Sequence, residues 1–493
     1  MQSPSHITLG GNGQQHVSLN LKMANRHGLI AGATGTGKTV SLQTLAEQFS
    51  HAGVPVFLVD VKGDLSGLAC AGKAHPKITE RLTYIGIDDH SFTPNPVVFW
   101  DVFGQAGQAM RTTVSEIGPL LMANLLQLND TQTGVLYACF KIADDSGLLL
   151  LDLDDLVSML NYMGDNAKTL SNQYGNIASA SIGAIQRRLL VMDEQGFSHF
   201  LGEPALDIQD LMTTDMSGRG VINIFAVNQL INQSPKLYAT VLLWLLSEVF
   251  ETLPEAGDLD KPKFVMFFDE AHLLFDGAAK PLVDKIEQVV RLIRSKSVGI
   301  YFISQSPLDI PEDVAGQLGL KIQHALRAFT PKDKKTVAAV ADSFRPNEAF
   351  SVKGVITELG VGEALVSCLN EKGIPTPVER TLMSPPCSRI GTASIQERTA
   401  QMSHSPTKDK YTQSINRESA HEMLAQRAQT AQAEQAELDS TKAESSDSNK
   451  APRAKSNNRQ GVGESFMKSI SRAIGSQIGR QLIRGVMGSL FKR

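Results

Sequence analysis

A chain of 493 residues with 42% hydrophobic content exceeds one ordinary domain and can fill a sizeable core. Its four cysteines, Cys70, Cys139, Cys368 and Cys387, stand far apart without Cys-x-x-Cys spacing, which excludes a zinc knuckle or a disulfide framework and suits a reducing cytoplasm. The net charge of −4 is unevenly spread: residues 385–493 carry 17 Lys/Arg against 10 Asp/Glu, and residues 1–384 carry 30 against 41. No secretory signal pattern opens the chain, and no apolar run is long enough to span a bilayer, so a cytoplasmic protein is expected.

The first strong element is His27 to Val40. Gly28–Ala31 reads as a short apolar strand. Gly32-Ala33-Thr34-Gly35-Thr36-Gly37-Lys38-Thr39 fits G-x-x-x-x-G-K-[ST], and Val40–Ala46 has helical spacing. This is the strand, loop and helix of a phosphate cradle. Its glycines let backbone N–H groups turn inward, Lys38 reaches the β- and γ-phosphates, and the Thr39 hydroxyl can ligate Mg²⁺. A nucleoside triphosphate is the natural guest.

Continuous apolar runs follow at 55–60, 220–227, 263–269, 298–305, 320–327 and 363–369, with helical stretches between them. Such alternation predicts an α/β fold, a P-loop parallel sheet with helices on both faces. Residues 1–104 and 211–384 form its two halves. From 105 to 210 long helical stretches replace the strands, so this segment reads as a helical insertion, either a lid, a subunit contact or an inert decoration.

Hydrolysis needs carboxylates as well as a cradle. The run Phe264–Phe268 ends in Asp269 and Glu270, at the strand end where ligands of open α/β sheets sit. Asp269 is placed to hold Mg²⁺ through water, and Glu270 to act as general base on the attacking water. The run 298–303 delivers Ser304-Gln305-Ser306-Pro307 to the same edge. The Gln305 amide can bond the terminal phosphate or its water, or else merely cap the next turn. Arg291 and Arg294 share a helix face between these two strands, positioned either for a positive charge at a phosphate or for surface pairing with Asp284 or Glu287.

Past Pro385 the composition turns to Ser, Gln, Ala, Glu and Lys, which predicts a disordered linker over 385–463 with a transient helix near 419–438. In 464–493 apolar residues from Ile470 to Leu490 recur every fourth position, opposed by a stripe of Lys and Arg. This is a basic amphipathic helix suited to an anionic membrane surface, DNA or a protein partner.

Together these residues resemble the HerA/FtsK class of P-loop ATPases, in particular the bacterial HerA-like helicases and translocases. The resemblance rests on Arg26–Thr39, on Asp60-Val61-Lys62-Gly63-Asp64, on Phe268-Asp269-Glu270-Ala271-His272 and on Ile303–Pro307, and covers about residues 7–380. It implies a homo-hexameric ring with ATP and Mg²⁺ at subunit junctions, acting on double-stranded DNA. It carries over Gly32–Thr39 as the nucleotide cradle, Asp269 and Glu270 as the acid pair, and Gln305 as sensor. Arg294 becomes the arginine supplied to a neighbouring subunit, and Arg26 a second basic position whose role in cis or in trans stays open. About 27 residues precede the P-loop strand, too few for the N-terminal β-barrel of HerA proper. With the body at −11, DNA contact would need locally basic loops, to which Lys62 and the Lys332, Lys334, Lys335 cluster are candidates, or the basic C-terminal segment. A motor moving polypeptide, as conjugative secretion ATPases do, is the alternative.

Overall fold

The computed structural model describes residues 5–276 and 280–446. They form a sheet of twelve strands: β1 (His6–Gly11), β2 (His16–Asn20), β3 (Gly28–Ala31), β4 (Val56–Asp60), β5 (Val97–Asp101), β6 (Gln108–Ala109), β7 (Ile222–Ala226), β8 (Phe264–Phe268), β9 (Val298–Ser304), β10 (Leu320–His324), β11 (Glu363–Ser367) and β12 (Glu379–Met383). The spatial order is β2-β1-β12-β11-β10-β3-β9-β8-β4-β7-β5-β6. From β10 to β6 every pairing is parallel. From β10 outward to β2 every pairing is antiparallel.

The parallel part arises where the sequence predicts it, because its central strands are apolar on both faces. Val56, Leu58, Val265, Phe267, Tyr301 and Ile303 pack in one core with Leu42, Leu45 and Phe49 of the helix Lys38–His51. On the alternate positions Phe57 meets Phe225 and Phe268 stacks on Phe302. The helix Pro235–Thr252, buried through its middle, and the helix Lys280–Ile293 belong with this second layer.

Three features depart from the sequence reading. In the antiparallel margin β1, β2 and β12 were invisible because they lack a continuous apolar run, and β11, expected from the run 363–369 to be parallel, pairs antiparallel with both neighbours. The residues before the P-loop strand are therefore a hairpin of the sheet itself. The second departure concerns the helical insertion. One compact unit comprises 5–127 with 188–416, and a second comprises 128–187 with the described residues from 417 onward. The ends of the expected 105–210 segment thus belong to the ATPase-like body. In the second unit the helix Ala420–Ser446 joins the insertion through its start: His421 N–H donates to Asp155 (2.8 Å) and Ala420 N–H to the Leu149 carbonyl (2.9 Å).

The third departure is the start of the expected linker. Residues 385–411 fold onto the body through polar anchors rather than an apolar stripe. The buried Glu47 carboxylate accepts the N–H groups of Cys387 (2.7 Å) and Ser388 (2.8 Å). Arg389 pairs with Glu397 through two 2.8 Å bonds, and Tyr411 is fully buried edge-on to Trp100. Apolar content alone gives no sign of such anchors. The remainder of the linker and the basic helix 464–493 lie outside the described residues, and among the described ones no helix is long and apolar enough to cross a membrane.

Candidate functional site

Four parallel strands, β3, β9, β8 and β4, lie side by side in register and release their loops at one edge. Ala31 pairs with Ser304 and Phe268 with Phe302, so the P-loop, the Ser304-Gln305 turn and the Asp269-Glu270 pair emerge at neighbouring heights. Strands about 4.8 Å apart place the acids roughly 10 Å across the edge from the end of β3, a span that a bound triphosphate covers. Their charges are felt at Lys38: burial lowers its pKa, Glu270 and Asp269 raise it, and Lys62 lowers it.

The cradle is shaped by Gly32 (φ +152°) and Gly37 (φ +113°), backbone angles that side-chain-bearing residues rarely adopt. A Cβ on Gly32 would stand 2.5 Å from the Cβ of His324. Lys38 Nζ donates to the carbonyls of Gly32 (2.6 Å) and Ala33 (3.1 Å), and the loop is fastened by Ala33 N–H to the Ala325 carbonyl (2.9 Å). The N–H groups of Thr34, Gly35 and Gly37 have no protein acceptor among the described residues. They open into the N-terminus of the fourteen-residue helix Lys38–His51, an arrangement suited to an anion.

Asp269 is 5% exposed and its Oδ2 has no hydrogen-bond partner among the described residues. Burial, reinforced by the adjacent Glu270, pushes its carboxyl up to about 7. A buried carboxylate oxygen without a partner fits a divalent cation, whose charge would favour the ionised form, as does the Thr39 hydroxyl, which makes no hydrogen bond to a described residue. Among the described residues no cluster of three or more Asp, Glu, His or Cys could enclose a metal by itself.

Glu270 sits at φ +47°, an uncommon angle for a residue with a side chain. Its Oε1 accepts from Lys62 Nζ at 2.6 Å, and its Oε2 lies 3.5 Å from the Gln305 amide nitrogen. Burial alone would raise its pKa, but the bond and charge of Lys62, with the Gln305 amide and the charge of His272, together outweigh burial and hold the carboxyl below its usual range. Gln305 is not the cap of its turn. Ser306 and Asp309 form the capping box there, leaving the amide directed at Glu270.

Arg294 and Arg26 are not brought to this edge. Arg294 follows the helix Lys280–Ile293 at the start of β9, and Arg26 ends the turn before β3, so both stand at the amino edge of the sheet. The length of β9 separates them from Gln305 by about 20 Å. They are neighbours: burial first, then the charge of Arg294, lowers the Arg26 pKa, and neither guanidinium has a carboxylate within ion-pair distance among the described residues. Arg291 is exposed.

Two residues of the site were missed in the sequence. Lys62 reaches Glu270 because β4 and β8 are adjacent in space though some 200 positions apart. His324 lies buried under the cradle, its ring nitrogens bonded to Ser41 Oγ (2.9 Å) and to the Glu363 carbonyl (2.9 Å), so it ties the first helix turn to β11. No local signal marks His324, and Lys62, though it stands in the Asp60–Asp64 stretch and reads there as a candidate for DNA contact, carries no local sign that it meets Glu270.

A P-loop at the end of one parallel strand, with an acid pair and an amide on the next two strands, defines the chain as a P-loop nucleoside-triphosphatase fold. Within that class it belongs to the helicase HerA-like C-terminal family, whose model matches residues 6–493. A search of curated proteins finds no match. Among solved structures, similarity extends to a bacterial conjugative coupling protein, TrwB, at 14% identity over 79% of this chain and 92% of that one (TM-score 0.49). It extends also to VirB4 of Thermoanaerobacter pseudethanolicus, at 17% identity over 80% and 99% (TM-score 0.49). TrwB in complex with ADP and Mg²⁺ matches at 14% identity over 79% and 94% (TM-score 0.49).

Proposed function

We propose that the chain is an ATP-hydrolysing motor of the HerA/FtsK class that assembles as a homo-hexameric ring and moves on or remodels double-stranded DNA. The observation that carries the ATPase part is the single sheet edge on which Lys38, Asp269, Glu270 and Gln305 share one electrostatic neighbourhood. Lys38 and the N–H groups of Gly32–Thr39 would hold the phosphates. Thr39, and Asp269 through water, would hold Mg²⁺, which supplies charge neutralisation on the phosphate oxygens. Glu270 takes the proton of the attacking water as its oxygen bonds the terminal phosphorus, releasing ADP and phosphate, and Gln305 orients that water.

Arg294, with Arg26 beside it, is assigned to the neighbouring subunit's nucleotide. At about 20 Å from its own P-loop, Arg294 cannot reach the phosphate it would stabilise except across a junction between copies. DNA is the assigned track on the strength of the family; in the described body, Lys332, Lys334 and Lys335 on the helix Pro331–Asp342 offer positive charge.

The test is ATP hydrolysis with and without duplex DNA over a salt series. Stimulation by duplex that falls steeply with salt supports a DNA motor. Hydrolysis indifferent to any nucleic acid, with vesicle binding through residues 464–493, turns the reading to a polypeptide-moving or membrane-associated motor. No hydrolysis at all with Mg²⁺ present removes the ATPase assignment.

A further inference from the structure

Lys62 has no role in the reading above, yet it makes the shortest bond to the residue assigned as base. It stands just beyond β4 in a turn fixed by other groups: Gly63 (φ +81°) donates its N–H to Asp60 Oδ1 at 2.7 Å, and Ser66 closes the next turn on the Gly63 carbonyl. None of those bonds uses the Lys62 side chain, so the fold of the loop does not demand a lysine there. The side chain is 51% exposed, and a half-solvated ion pair adds little to stability. A structural role therefore leaves the lysine unexplained.

An ammonium group has three donors, and among the described residues Lys62 spends one, on Glu270 Oε1. That oxygen belongs to the group that must face the attacking water, which itself must face the terminal phosphorus. A cation 2.6 Å from it is therefore within one side-chain swing of the terminal phosphoryl group. β4 and β3 lie on either side of β8 and β9, and Lys38, its pKa lowered first by burial, also feels the charge of Lys62, so both ammonium groups act on one locality from opposite sides.

We infer that Lys62 is a contact residue for the terminal phosphate of the nucleotide, exchanging its bond with Glu270 for one with that phosphate. The terminal group carries more negative charge than one carboxylate, and it competes for the same ammonium. When it wins, the Glu270 oxygen loses the partner that occupies it. ADP lacks the group, so Lys62 stays on Glu270 and the carboxylate stays masked. The residue thereby distinguishes triphosphate from diphosphate. This rests on the nucleotide reading of the P-loop, and the experiment separates the two.

The full-length chain is titrated with ADP and with a non-hydrolysable ATP analogue, each with Mg²⁺, as wild type, Lys62→Met, Lys62→Arg and Lys38→Ala. A charge-assisted bond to phosphate predicts that Lys62→Met weakens the ATP analogue by roughly tenfold or more while ADP affinity stays within about twofold, and that Lys62→Arg recovers most of the loss. Unchanged ADP affinity shows at once that the variant is folded. Equal weakening of both nucleotides, or of neither, overturns the assignment of Lys62 while leaving the P-loop reading in place. Wild type that binds neither nucleotide, or Lys38→Ala that binds both normally, overturns the P-loop reading and this inference with it.

Discussion

The two edges of the parallel sheet are built differently. At the carboxyl edge most charged groups are bound to one another or to backbone, Lys38 to loop carbonyls, Glu270 to Lys62 and Asp60 to the Gly63 N–H, while Asp269 keeps one oxygen without a partner among the described residues. At the amino edge Arg26 and Arg294 stand half-buried side by side, without an ion-pair partner among the described residues and with mutual repulsion. Placing two like charges together costs free energy, and here the charge of Asp258, which lies outside ion-pair distance, offsets burial and Arg294 only in part. The difference teaches that the groups able to hold a phosphate and the two arginines lie at opposite edges of one sheet, and under the proposed function a second copy would bring them together.

The largest effect that would sharpen this contrast is at Arg294. Arg294→Ala is expected to lower kcat by about a thousandfold or more, with affinity for an ATP analogue little changed, because the arginine acts only on charge that develops during transfer. A loss confined to KM would place it in ground-state binding instead. Next come titrations of opposite sense at the two edges. Burial, with Asp64, raises Asp60 to about 6, so the penalty of its ionised form is absent below the unfolded value near 4 and is complete above 6. Asp60→Asn should then gain on wild type by on the order of 3 kcal/mol between pH 4 and pH 8, read from denaturant midpoints.

At the amino edge His27 is fully buried and burial lowers it to about 4; its Nδ1 accepts the Ile300 N–H at 3.0 Å. The stability of its neutral form is in place above about 6.5 and is lost as pH falls toward 4. His27→Asn should lose the least relative to wild type at pH 4, on the order of 3 kcal/mol less than at pH 7. Failure of either trend would mean that the group is hydrated rather than buried. The smallest effect is at Arg26: its removal relieves the repulsion on Arg294, so Arg26→Ala is expected to cost about tenfold in kcat at most. A loss as deep as that of Arg294→Ala would give the two arginines equal parts.

What the sequence disclosed follows from how local each feature is. Gly32–Thr39, the Asp269-Glu270 pair and Gln305 are each written within a few consecutive residues at a strand end, so strand and chemistry are legible together. Lys62 and His324 are site residues only because β4 meets β8 and β10 meets β3, pairings between strands distant in the chain. The Tyr411 anchor was hidden for another reason: its partners Trp100 and Asp210 come from far upstream, and its own segment is polar. Composition reports how much apolar surface a segment has, not which few contacts hold it. Arg294 was legible as a candidate, but its place at the far edge needed the sheet direction.

The central claim is tested most directly by mixing two inactive chains. Arg294→Ala keeps the carboxyl-edge acids and lacks the arginine; Glu270→Gln keeps the arginine and lacks the base. If the site is completed between copies, co-assembled mixtures recover ATP hydrolysis well above either variant alone, peaking near equal proportions. If mixtures at every ratio remain as inactive as their components, though co-assembly is verified, the arginine does not serve a neighbouring subunit and the two-edge account is wrong.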